Sequence, residues 1–269
     1  MTTIASYFSL SEAGKKTLTM ISDSRITWVD NTSKQIVSSY DYSQKIFKLE
    51  NSLDIFGYCG DSLFCLSNIS QIISYLRTSQ EYINALSIYR KITIIYEIIN
   101  NSLSDYPESE IRQNFTVYLN TIFNNQFYSH KFFFMKDTGC FDHEKIEIPF
   151  TTGLVFKGGS GETLYGNILS KYLSELYPKA RNYFKALVEL IENQTDPKTG
   201  GPPQMCCLNL EKKSILSVGV LFNEKFYING VHDLYLSDTE KVEFRDENFN
   251  FLTPDGKVRN NYKGSYRKK

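Results

Sequence analysis

Met1-Thr2-Thr3-Ile4-Ala5 opens the sequence, and the fold reading starts there: once the bond after Met1 is broken, Thr2 carries a hydroxyl and a free α-amine on one residue. A threonine hydroxyl is a weak nucleophile at neutral pH and needs a base within hydrogen-bond reach. An α-amine, with a reference pKa of about 7.7–8.0, is poised to be that base. Met-Thr also begins many ordinary strands, so the choice rests on the remaining residues.

Working outward, strand-forming residues fill 2–9 and 17–28, with Ser11-Glu12-Ala13-Gly14 between them as the turn of a hairpin. The second strand, Leu18 to Ile21, runs into the polar cluster Ser22-Asp23-Ser24-Arg25. Another pair covers 44–49 and 53–61 around a turn at Glu50-Asn51-Ser52, and four early strands in succession favour one antiparallel sheet. Beyond Gly60, Leu63, Leu66, Ile69, Ile73 and Leu76 recur at helical spacing, and a second apolar helix covers about 81–101 before Ser104 and Pro107. Strands return at 115–119, 127–136, 140–149 and 154–157 and lead into Gly158-Gly159-Ser160-Gly161. Helices at about 161–176 and 179–193 follow, then the turn Asp196-Pro197-Lys198-Thr199-Gly200-Gly201 and strands near 204–210, 214–221 and 225–230.

Strands and helices that arrive in blocks do not build a doubly wound βαβ sheet. They do suit an α+β chain in which two antiparallel sheets stack with a helical layer outside each. From about Leu234 apolar density falls, and Lys257, Arg259, Lys263, Arg267, Lys268 and Lys269 surround Tyr262 and Tyr266 with no acidic residue after Asp255. The expected division is a domain over 1–233 and a C-terminal extension with a basic tail over 234–269. That tail reads either as a solvated terminus or as a docking segment, with nucleic acid the less favoured partner.

Composition narrows the function classes. The 269 residues hold 30 Lys+Arg against 30 Asp+Glu, and no run of 18 apolar residues occurs, so no membrane span is expected. A basic stretch followed by an apolar one is absent from the N-terminus, so the default location is the cytoplasm. Cys59, Cys65, Cys140, Cys206 and Cys207 show no CxxC spacing and read as buried reduced thiols; His130, His143 and His232 stand far apart, so no metal site and no cofactor are expected. The glycine-rich stretch at 158–161 is neither a phosphate loop nor a GxSxG elbow, because Glu162 stands where the elbow's last glycine belongs.

Six pieces in register change the reading: Thr2-Thr3-Ile4, Asp23-Ser24-Arg25, Lys45-Ile46, Gly60, Gly159-Ser160-Gly161-Glu162-Thr163 with Tyr165-Gly166, and Asp196 to Gly201. Over residues 2 to about 233 the chain resembles the proteasome β-type N-terminal nucleophile (Ntn) hydrolases, in particular the simpler bacterial peptidases of that group. The resemblance implies a four-layer αββα sandwich and a threonine peptidase without metal or organic cofactor.

It further implies Thr2 as nucleophile, Lys45 as the cation lowering the pKa of the nucleophile and its amine, and Asp23 as the carboxylate orienting that lysine. Gly60 would supply an oxyanion N–H, while Ser160, Asp196 and Thr199 would position the amine and a proton-relay water. Many members have serine where Thr199 stands, and the hydroxyl survives the change. By the same alignment Ile26, Ser43, Phe47, Tyr58 and Ser62 line the pocket for the residue before the scissile bond, and Thr27 offers backbone hydrogen bonds to an extended peptide. Peptides or unfolded proteins are the implied substrates, with homo-oligomeric assembly and an ATP-dependent unfoldase as implied partners. A longer segment before Ser160 and the C-terminal extension depart from a proteasome core subunit. Two rivals stay open: an amidase of the same fold acting on a small amide, and a catalytically silent assembly or binding subunit.

Overall fold

In the computed structural model, residues 2–30, 32–33, 35–174, 178–232 and 242–259 are described. Met1 and the tail residues Tyr262, Lys263, Tyr266, Arg267, Lys268 and Lys269 lie outside them.

The first hairpin forms as expected, with β1 (Thr3–Leu10) antiparallel to β2 (Lys16–Ser22) and Ile4 opposite Ser22. The short strands β3 (Ile26–Val29) and β4 (Ile36–Tyr40), the second unanticipated, make a separate two-stranded ribbon. Next come β5 (Ile46–Leu49) and β6 (Asp54–Cys59), then the helices α1 (Ser62–Thr78), α2 (Gln80–Ile83) and α3 (Ile88–Asp105). The strands β7 (Phe115–Phe123), β8 (Gln126–Met135), β9 (Cys140–Ile146) and β10 (Gly153–Gly159) follow, then α4 (Glu162–Tyr172) and α5 (Ala180–Asn193). The described chain ends with β11 (Gln204–Asn209), β12 (Ser214–Phe222), β13 (Lys225–Ile228), β14 (Val231–His232), β15 (Val242–Asp246) and β16 (Phe251–Leu252).

The four early strands do not share one sheet, which corrects the sequence expectation. β1 and β2 lie in the order β10-β1-β2-β11-β12-β13-β14, whereas β5 and β6 begin a second antiparallel sheet, β5-β6-β7-β8-β9. Local sequence could not separate them, because the polar stretch and ribbon between β2 and β5 carry the chain from one sheet to the other. Near the end of the described chain, β15 lies parallel beside β12, with Phe244 buried against Gly219.

Period-2 alternation explains why so many of these strands are buried on both faces. Along β1, Ile4 and Phe8 enter a core shared with Ile46, Ile55, Tyr118 and Ile122 of the second sheet, whereas Ala5 and Tyr7 pack with Tyr165 of α4 and Tyr183, Leu187 and Ile191 of α5. The second sheet repeats the device. Ile55 and Cys59 point to the first sheet, while Phe56 and Tyr58 join Phe64, Ile69 and Ile73 of α1 and Ile92, Ile95 and Ile99 of α3. Between the sheets, Asn120 donates to Ser6 Oγ (2.7 Å) and accepts from Ser129 Oγ (2.9 Å), a buried, paired polar bridge that fixes register in an otherwise apolar layer.

Candidate active site

Residue 2 is held by its neighbours in the sheet. Thr3 pairs with Gly159 at the end of β10 and its carbonyl accepts from Asp23 N (3.1 Å), so the start of β1 is clamped on both sides. Gly159 has φ +93°, and a Cβ there would collide with the Thr2 carbonyl, so only glycine permits this approach. Thr2 itself is fully buried, and its Oγ1 has no hydrogen-bond partner. A buried hydroxyl normally finds a partner, and one left without calls for an explanation in strain or catalysis.

Asp23, fully buried just past β2, is saturated with donors. Its Oδ1 accepts from Thr3 N (3.0 Å) and Lys45 Nζ (2.9 Å), and its Oδ2 from Arg25 N (3.1 Å) and Gly200 N (3.0 Å). Lys45 and Asp23 thus form the expected ion pair with both side chains out of solvent, and Lys45 also donates to the Arg25 carbonyl. Burial pulls the Lys45 pKa below its usual value, and the Asp23 charge opposes that pull. One carboxylate oxygen therefore holds both the lysine ammonium and the Thr2–Thr3 peptide N–H, which brings the cation to the N-terminal end of β1.

A second carboxylate gathers hydroxyls. Asp196 Oδ2 accepts from Ser160 Oγ (2.8 Å) and Thr199 Oγ1 (2.7 Å), and Thr3 Oγ1 lies 2.6 Å from Thr199 Oγ1, giving a chain Thr3, Thr199, Asp196, Ser160. Ser160 is the exposed end of it, and Asp196 and Thr199 are buried. Thr3 was missed as a contributor because a second threonine at a strand start carries no signal of its own. The loop bearing Asp196 is tied down by Arg25, which grips Asp41 through two bonds (2.6 and 2.8 Å) and donates to the Pro197 carbonyl (3.3 Å).

Gly60 turns the chain from β6 into α1 with φ +100°, and a Cβ there would strike the Asn114 carbonyl. Asp61 then caps α1 by accepting from Phe64 N (3.1 Å). A cleft of about 520 Å³ opens along Gly60, Gly159 and Ser160, walled by Arg112, Asn114 and Lys136. The six residues expected in the substrate pocket do not line this cleft. Ser43, Tyr58 and Ser62 do converge: the buried Tyr58 hydroxyl lies against both serine side chains without a well-formed bond to either, and burial pushes its pKa up. Phe47 packs against the core cluster that contains Tyr58, and Ile26 and Thr27 stand half-buried on the ribbon, opposite Tyr40 and Ser39.

Of the five cysteines, Cys59, Cys65 and Cys206 are buried free thiols, but Cys140 is exposed and Cys207 half-buried, contrary to the expectation for those two. Cys140 opens an edge strand, where burial is not required. Among the described residues, no group of three metal-ligating side chains occurs and no helix is long and apolar enough to cross a membrane.

The fold is α+β, built mainly on antiparallel sheets, and a buried Thr–Asp–Lys corner stands at the start of β1. The chain is similar to Anbu (ancestral beta-subunit) from Yersinia bercovieri, with a TM-score of 0.52 at 14% identity over 81% of this chain and 87% of that one. It is likewise similar to an Anbu (Gly-1) mutant from Hyphomicrobium sp. strain MC1, with a TM-score of 0.52 at 14% identity over 79% and 85% of the two chains. At such identity the likeness is one of fold. No family model and no curated relative matches the sequence.

Proposed function

We propose that this protein is an N-terminal threonine peptidase whose nucleophile is the Thr2 hydroxyl, freed for catalysis when the Met1–Thr2 bond is hydrolysed. The observation that carries the reading is the buried, unpartnered Thr2 Oγ1 at the end of a strand whose next N–H shares an Asp23 oxygen with the Lys45 ammonium. Nothing in ordinary strand packing calls for that combination.

In the mechanism, Thr2 Oγ attacks a peptide carbonyl as its proton passes to the Thr2 amine. Lys45 favours the neutral amine and the developing alkoxide by charge, and Asp23 holds Lys45 in place. The Gly60 N–H faces the oxyanion, a contribution typically worth about 3–4 kcal/mol. The protonated amine then passes its proton to the departing peptide nitrogen, leaving an ester on Thr2, and water hydrolyses that ester by the same relay. Ser160, Asp196 and Thr199 orient the amine and the relay water; their contiguous hydrogen-bond chain supports this role. Ile26, Ser43, Phe47, Tyr58 and Ser62 form the pocket before the scissile bond, with Thr27 as the peptide rail, and the convergence of Ser43, Tyr58 and Ser62 supports that assignment.

The three cores favour a four-layer αββα sandwich over 1–233, with 234–269 as an extension that adds β15 to the sheet. Peptides or unfolded proteins are the substrates, self-association encloses the sites, and an ATP-driven unfoldase is the partner class. The test is intact-mass analysis followed by an epoxyketone inhibitor, which needs both a hydroxyl and a free amine on one residue. Loss of Met1 and one added inhibitor mass on Thr2 are expected. A processed, folded protein that takes up no label overturns the reading in favour of a silent subunit, and label uptake with turnover of small amides alone favours the amidase.

A further inference from the structure

We propose that Gln204 is a positioning residue for Lys45: its side-chain amide bolts the 43–46 backbone to β11 and so sets where the lysine ammonium stands relative to Thr2. The inference rests on the reading of Thr2 as nucleophile.

Gln204 is the first residue of β11 and is only 1% exposed. Its Oε1 accepts from two successive backbone N–H groups, Lys45 (3.0 Å) and Ile46 (3.3 Å). Its Nε2 donates to the Ser43 carbonyl (2.6 Å) and to Ser24 Oγ (2.6 Å). A primary amide has two donors and two acceptor sites, and all four are used here. The orientation is unambiguous, since turning the amide over would set its NH2 against two N–H groups and its oxygen against a carbonyl.

The position of these bonds gives them a consequence beyond packing. The ladder of β5 with β6 begins at Ile46 opposite Gly57, so the backbone of Lys45 lies just before the sheet and relies on Gln204 for its N–H partner. Gln204 in turn pairs with Ser22, the residue before Asp23. Asp23 therefore grips the tip of Lys45, while Gln204, one strand over in the same sheet, grips its base. The other titratable groups bearing on Lys45 are Arg25 and Cys59, and neither side chain is a hydrogen-bond partner of the Gln204 amide. A cation held near the Thr2 amine lowers the amine's pKa by like-charge repulsion, and a lysine whose base is loosened lets that pKa drift back toward the free value of about 7.7–8.0.

The experiment measures epoxyketone labelling of Thr2 against pH in processed, full-length wild type, Gln204→Leu and Gln204→Asn, with thermal melts reporting the folded fraction. Asn keeps the polarity but is a methylene too short to span both sets of partners, and it serves if the Leu variant does not fold. The expected result is a labelling rate at saturating inhibitor reduced about tenfold and an acid limb displaced upward by about one pH unit, with half-saturation unchanged. Mere loss of folded protein lowers the amplitude and leaves the limb where it was. A folded Asn variant with the wild-type limb and rate overturns the inference alone. A processed wild type that never labels overturns the nucleophile reading and this inference with it.

Discussion

Asp23 accepts four hydrogen bonds without access to water, and that makes it the residue whose loss should be felt most widely. Asp23→Asn leaves the Lys45 ammonium buried without its counter-charge, a change that costs about 3–5 kcal/mol when one partner of a buried pair is removed. It should lower the urea midpoint and abolish epoxyketone labelling together. Lys45→Met leaves the Asp23 carboxylate with its three backbone N–H donors and so is expected to spare more stability while losing labelling, and near-normal labelling in both variants would show that these positions are misassigned. Thr2→Val, which replaces only the hydroxyl with a methyl, is expected to remove turnover with the melting temperature unchanged, since Oγ1 has no partner to lose, whereas Thr2→Ser keeps part of the activity. A clear drop in melting temperature for Thr2→Val would mean that the hydroxyl is structural.

At the scale of elements, α3 is docked by a second buried pair remote in sequence from the first. Lys91 Nζ lies 2.8 Å from Asp54 Oδ1 and 4.7 Å from the Tyr82 ring centre, and Tyr82 OH donates to Asp54 Oδ2 (2.7 Å). Asp54→Asn should cost about 3–5 kcal/mol in urea unfolding without altering the pH profile of Thr2 labelling, which separates this pair from the Lys45 pair. On β8, His130 sits beside His143 with ring centres 6.1 Å apart, and burial first, then the His143 and Lys145 charges, pull its pKa down to about 4. Its unfolded value is about 6.5, so the neutral form contributes stability above that pH, and the contribution is lost as pH falls from about 6.5 to about 4. His130→Phe should flatten the urea midpoint across that window; an unchanged acid slope would exclude His130 as its source.

For the whole molecule, β15 matters because it adds a parallel strand beside β12 in the first sheet. Phe244 of β15 is 1% exposed and fills the space left by Gly219 on β12, so Phe244→Ala opens a cavity and should cost about 3–5 kcal/mol. A melting temperature within a degree of wild type would show that β15 is dispensable. The shared core between the sheets brings the ends of β1, β2 and β10 from one sheet to Lys45 at the edge of the other, and the site exists only at that junction.

The sequence by itself determined most of the elements and the block order behind the α+β class, which follow from local patterns of period-2 and period-3.6 alternation with polar turns between them. The two carboxylates, the lysine and the hydroxyls at the junction were singled out by resemblance to a family and not by any local pattern, since each alone reads as an ordinary strand-end or loop residue. Only the tertiary structure decided that β1–β2 and β5–β6 belong to different sheets, that Phe244 completes one of them, and that Gln204 and Thr3 stand among the site residues. Sheet membership and a buried amide's partners are set by contacts between segments remote in sequence, as from Ser24 to Gln204 or from Thr17 to Asn209. A glutamine opening a strand looks the same in sequence whether it faces solvent or holds the backbone of a lysine.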